Sequence, residues 1–123
     1  MLLGGYNATL EQLRLQWRFS TVENREFTGV GFFTTFAVPQ DIPRTSSESF
    51  EIGDVDAWIS GIQIGLLLFV REGAISTFET YTYQEPWPDS PVIERLAYRG
   101  EKGDHSDARD ELLLAPFLRP PRA

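Results

Sequence analysis

Residues 62–70 and 74–83 read as the two arms of a β-hairpin, and no other stretch restricts the fold so tightly. The first arm, Ile62-Gln63-Ile64-Gly65-Leu66-Leu67-Leu68-Phe69-Val70, is apolar on both faces, which marks an interior strand. The second arm, Ala74-Ile75-Ser76-Thr77-Phe78-Glu79-Thr80-Tyr81-Thr82-Tyr83, is rich in β-branched and aromatic residues and carries one carboxylate. Arg71-Glu72-Gly73 lies between them. Glu is poor at positive φ, so the expected turn runs over Arg71-Glu72 with Gly73 left-handed, a three-residue loop with a bulge. That register pairs Val70 with Ala74, Leu66 with Phe78 and Gly65 with Glu79. It also sets Glu79 on one face with Ile75, Thr77, Tyr81 and Tyr83.

The flanking sequence supplies more strands and at most one long helix. Asn7 or Thr9 can cap a helix over about residues 8–17, with Gln12 as the capping-box partner of Thr9. Leu10, Leu13 and Trp17 fit the helical period. The alternation Leu13, Leu15, Trp17, Phe19 fits a strand. The cap and the Leu/Gln/Arg/Glu content favour the helix, with a strand starting near Ser20. Residues 30–38 carry aromatics on both faces and read as another interior strand. A polar loop follows over 39–49, then extended chain over 50–59 with Gly53 as a bulge or turn. Residues 92–98 form a last strand, 99–110 a charged loop and 112–118 an apolar segment, before Pro120-Pro121 end regular structure. No helical pattern separates the central strands, so a βαβ unit is excluded. The expected fold is α+β, an antiparallel sheet with a central hairpin and one N-terminal helix; a mainly β fold is the alternative. Residues 1–123 form one domain, loosely ordered from about residue 100.

Composition narrows the chemistry. The net charge is −7, which opposes nucleic acid or anionic membrane as a partner and favours a basic one. The charge is uneven: residues 1–40 balance three acids with three bases, whereas 41–111 set fifteen acids against six bases. There is no cysteine and one histidine, so thiolate metal sites, disulfides and thiol nucleophiles are excluded and no metal or other cofactor is expected. No apolar run reaches the ~18 residues of a membrane span. Met1-Leu2-Leu3-Gly4-Gly5 lacks the basic and apolar regions of a leader, so the expected location is cytoplasmic. Oligomeric state is not set by the sequence.

Several residues are candidates for function. Glu79, with Tyr81 and Tyr83, forms a carboxylate among aromatics, which suits a ligand pocket; pairing with a Tyr hydroxyl, Arg25 or Arg95 is the structural alternative. Asp54 and Asp56 flank Val55 and on a regular strand project from one face. They suit an acidic docking edge better than a cation site, because local spacing fixes no third ligand. Asp104-His105-Ser106-Asp107 holds the one histidine, but in a charged loop and without a nucleophile elbow. No catalytic set is assigned. Gly29-Val30-Gly31 precedes a strand rather than a helix, so it offers phosphate no helix N-terminus. Trp87, fixed between Pro86 and Pro88, suits either a protein interface or a lid over a core. Asp54, Asp56, Glu85, Trp87 and Asp89 are therefore the candidate partner-binding residues.

The stretch Arg25-Glu26-Phe27-Thr28-Gly29-Val30-Gly31-Phe32-Phe33-Thr34, then Gly53-Asp54-Val55, Leu68-Phe69-Val70 with Gly73, Glu79, Tyr81-Thr82-Tyr83 and Glu85-Pro86-Trp87-Pro88, resembles a group of small uncharacterised bacterial proteins. The likeness covers about residues 22–88; the chain after Gly100 has no counterpart in it. At the level of class, a short, acidic, cysteine-free chain is similar to the immunity proteins of bacterial toxin systems. The resemblance implies a binding protein that neutralises a basic toxin or nuclease, and it carries over no site residue. The alternative expectation is a small enzyme or ligand-binding domain around Glu79, Tyr81 and Tyr83.

Overall fold

The computed structural model describes residues 2–5, 7–45, 49–100 and 104–109. Helix α1 (Ala8–Phe19) is followed by β1 (Thr21–Phe27), β2 (Gly31–Ala37), β3 (Phe50–Ile59), β4 (Ile62–Arg71), β5 (Ala74–Thr82), β6 (Ile93–Arg99) and β7 (His105–Ser106). The strands form one antiparallel sheet in the order β1-β2-β5-β4-β3-β6-β7. The fold is α+β, and the β4–β5 hairpin lies within the sheet.

Residues 8–17 resolve as helix. The Asn7 side chain accepts from the Thr9 amide at 2.8 Å and so caps the first turn; Glu11 and Arg18 lie at the ends that suit their charges. Leu10, Leu13 and Gln16 are buried on one stripe, whereas Leu15, Trp17 and Phe19 stay at least 39% exposed. The helical period therefore decides burial, and the alternating pattern does not. Leu10 and Leu13 pack on Ile52, Leu68, Val70 and Ile75. A second cluster on the same side of the sheet, Ala57, Ile59 and Ile64, is covered by Trp87. The Trp87 ring meets Phe32 edge-on at 5.3 Å.

Gln16 keys the helix to the hairpin turn. Its side-chain amide donates to the Gly73 carbonyl at 2.8 Å and the Pro43 carbonyl at 3.1 Å, and its oxygen accepts from the Ile75 amide at 2.9 Å. A fully buried amide thus has its donors and acceptor satisfied between α1 and the hairpin turn.

The hairpin register differs from the sequence expectation. The turn is the two-residue Glu72-Gly73, with φ of 50° and 79°, and Arg71 pairs with Ala74, Leu66 with Thr80 and Gly65 with Tyr81. The primed turn matches the strands' twist, and this match outweighs the cost of placing Glu at positive φ. Ser60-Gly61 makes a similar turn between β3 and β4, at 50° and 77°. The bulge falls further along, between Phe69 and Val70. It swings Ile75 into the helix-side core, so Ile75 does not share a face with Glu79.

Two further differences concern β3, which lies between β4 and β6, and the β7 edge. A bulge lies between Ile52 and Val55, so Asp54 and Asp56 do not sit on a regular alternation. The charged segment expected as loop contributes β7, which pairs Arg99 with His105 and Tyr98 with Ser106. At the opposite edge every residue of β1 is exposed, and a bulge interrupts it between Val22 and Asn24. The expected apolar segment at 112–118, and most of the tail expected to be loosely ordered, lie outside the described residues. Among the described residues no helix is long and apolar enough to cross a membrane.

Candidate functional site: the face of the sheet opposite helix α1

Helix α1 covers one face of the sheet; the side chains of chemical interest alternate onto the other. The register sets Glu26, Phe33, Glu79 and Leu67 in one row across β1, β2, β5 and β4. Beside it runs the row Gly31, Tyr81, Gly65, Asp56 and Ala97. On the other flank, Thr77, Phe69 and Glu51 form a third. Gly65 lets the Tyr81 ring lie flat across the ladder: a Cβ there would come within 2.2 Å of the ring. Tyr83 meets Tyr81 edge-on at 5.4 Å.

Asp56 is the hub of this face and is 1% exposed. The Tyr83 hydroxyl donates to Oδ1 at 2.6 Å, and Arg99 donates from Nη2 to Oδ1 at 3.1 Å and from Nε to Oδ2 at 3.2 Å. His105 Nε2 lies 2.9 Å from Oδ2, and the Gln63 amide donates to the same oxygen at 3.2 Å. Burial alone would raise the Asp56 pKa, but the bonds from His105, Tyr83 and Arg99, with the Arg99 charge, outweigh it and hold the carboxyl below its ordinary 3.8. Tyr83 is shifted the other way, pushed up by desolvation and then by the adjacent carboxylate. The His105 ring stands edge-on to Trp58 at 4.9 Å, and the Arg95 guanidinium lies 4.9 Å over the same indole. The hub therefore ties β7 and the end of β5 to the sheet. A carboxylate so fully engaged cannot also offer charge to a partner.

Glu79 has the opposite character. It is half-buried among Phe33, Leu67 and Tyr81, and no described residue gives it a hydrogen bond or ion pair. Arg25 donates instead to Thr34, and Arg95 is occupied with Trp58. Burial and then the Glu51 charge push the Glu79 pKa above its ordinary 4.5. This is an uncompensated carboxylate framed by rings, with a second acid nearby.

The other candidate residues are not brought together. Asp54 makes a two-point ion pair with Arg109, at 2.9 and 3.0 Å, and shares no partner with Asp56. Trp87 closes the second apolar cluster, and its amide donates to Gly29. Glu85 and Asp89 are exposed in the connection from β5 to β6. A small cleft of about 290 Å³ lies beside Gln63 and Tyr83, but neither Glu79 nor Tyr81 lines it. Among the described residues no group of three or more His, Asp or Glu is placed to hold a metal ion. Sequence reasoning missed the convergence of Gln63, Arg99 and His105 on Asp56. No local spacing announces it, because four strands and a loop deliver the five side chains. Comparison with family models, curated proteins and solved structures returned no match.

Proposed function

We propose that this chain is a small acidic cytoplasmic binding protein, an immunity-type inhibitor of a basic toxin or nuclease, and that the sheet face opposite α1 grips cationic side chains of that partner. The observation that carries this reading is Glu79, a half-buried carboxylate with no described partner in a row with Phe33 and Leu67 and beside Tyr81. A carboxylate next to aromatic faces suits a lysine or arginine side chain, which gains both charge pairing and cation–π attraction there. Glu51 and Glu26 lie on the same face and strengthen the field. Glu85 and Asp89, exposed in their loop, add steering at longer range. The interface thus moves from Asp54 and Asp56, whose charges are neutralised by arginines, to the rows around Glu79. The ligand-pocket alternative rests on the cleft beside Tyr83, and the absence of Glu79 and Tyr81 from its walls weighs against it.

Titration with an oligo-arginine peptide, followed by backbone amide shifts, tests the face. The shifts are expected in the rows of Glu79 and Glu51, with affinity falling as salt rises. Glu51→Gln together with Glu79→Gln is expected to weaken binding about tenfold, the scale of one lost charged hydrogen bond. Equal affinity for the double variant would remove this face from the interface.

A further inference from the structure

On the helix side, residues 2–5 form a strap held by two arginines through alternate carbonyls. Arg109 donates to the Leu2 carbonyl at 2.7 Å and the Gly4 carbonyl at 2.6 Å. Arg14 donates to the Leu3 carbonyl at 2.5 Å and the Gly5 carbonyl at 2.9 Å. Beneath the strap, between α1 and the sheet, is a cavity of about 520 Å³. Its walls are Trp17, Leu66, Leu68, Phe78 and Leu96, with Val55 at the base and strap residues above. The volume falls within the ~300–1,000 Å³ common for small-molecule sites, and so does the apolar lining with few polar groups.

Among the described residues the one charged group on its wall is Arg14. Its neighbour Glu11 is 3.9 Å away and both side chains are well exposed, a pair that contributes little. Arg109, the other strap arginine, is neutralised by Asp54 in a pair that is 4% and 11% exposed and stacks over Tyr98 at 4.8 Å. Among the described residues the site therefore offers an apolar chamber with one weakly compensated cation on its wall. We propose that it binds a small amphiphilic anion, an unbranched alkyl carboxylate, whose chain fills the cavity and whose carboxylate takes the Arg14 guanidinium. The carboxylate displaces the Leu3 and Gly5 carbonyls from Arg14, because a charged acceptor outcompetes a neutral one. The strap keeps its hold on Arg109 and opens at one side. A cationic amphiphile is rejected by Arg14, and a neutral one lacks the anchor.

Titration of the full-length chain with dodecanoate below its micelle concentration, with dodecyltrimethylammonium as the control, tests the site. Saturable binding of dodecanoate alone is expected, with amide shifts confined to the strap, the second half of α1 and residues 55, 66–68, 78 and 96. Arg14→Gln is expected to weaken it at least about tenfold, and Leu96→Trp, which fills the chamber, to abolish it. Because the shift map uses the unaltered protein, a variant that fails to fold does not blunt the test. No saturable binding, equal binding of the cationic probe, or shifts centred on Trp58 and His105 would overturn the proposal. Binding that appears only after removal of residues 110–123 would overturn it too, since the chain would then be filling its own cavity.

Discussion

Asp56 shows how one buried carboxylate organises the sheet face opposite α1. Four side chains reach it through five atoms, so its charge is worth more to the folded chain than to the unfolded one. Its pKa is held below the ordinary 3.8, so the stability it supplies is complete above that value and is lost as pH falls through the folded-state value. Asp56→Asn removes the charge but leaves Arg99 and His105 in place. Breaking a buried pair costs roughly 3–5 kcal/mol. The Arg99 side chain, 38% exposed, keeps access to water, so about 3 kcal/mol is expected here at neutral pH. Urea unfolding at several pH values should show the gap to the parent protein narrowing below pH 3.8; a constant gap would mean that the charge is not the source.

At the scale of elements, α1 and the hairpin are one unit because Gln16 spans them. Gln16→Leu fills the same space with apolar atoms but strands the Ile75 amide inside the core and takes one donor from the Gly73 carbonyl. One unmade buried bond costs roughly 1–3 kcal/mol, and the Thr45 amide still donates to Gly73 at 2.9 Å. A loss of about 2–3 kcal/mol in chemical unfolding is therefore expected; a neutral result would show that apolar packing alone orients the helix. The strands themselves were legible in the sequence, because alternation and apolar runs report burial directly: β2, β3, β4, β5 and β6 fall near the expected positions. The hairpin register was not. Residue preference at Glu72 pointed to a three-residue loop, but strand twist is a property of the pair of arms and overruled it. Gly65 held a usable signal, since a glycine in an apolar strand implies close approach. Which ring lies over it depends on the register itself.

For the molecule as a whole, the contrast between its two faces explains why half of the candidate site was visible in advance. Glu79, Tyr81 and Tyr83 share a strand and its extension, so period-two spacing grouped them. Asp54 falls within a bulge that Asp56 lies beyond, and His105 reaches Asp56 across 49 residues, beyond any local pattern. Glu79 also makes stability pH-dependent in the opposite sense to Asp56. Its folded-state pKa is raised above 4.5 by burial and Glu51, so it costs nothing below that value. The penalty grows as pH rises through the window between 4.5 and the folded-state pKa. Glu79→Gln is therefore expected to raise the thermal midpoint at neutral pH and leave it unchanged at pH 4, which calorimetry can check; a fall at neutral pH would reveal a stabilising partner.

The same sheet can be viewed as a growing polymer with two ends. An antiparallel ladder of this width adds strands from any chain that offers a free edge, and unguarded edges lead to fibres. β7 is two residues long, too short to template an addition. β1 is seven residues long and wholly exposed, but its bulge puts the spacing of its outward amides out of step with a straight incoming strand. Glu23, Arg25 and Glu26 line the part a newcomer would have to match. Among the described residues each end is thus terminated by a different device, one by length and one by misregistration, so the aromatic-rich face opposite α1 does not seed assembly through the sheet edges.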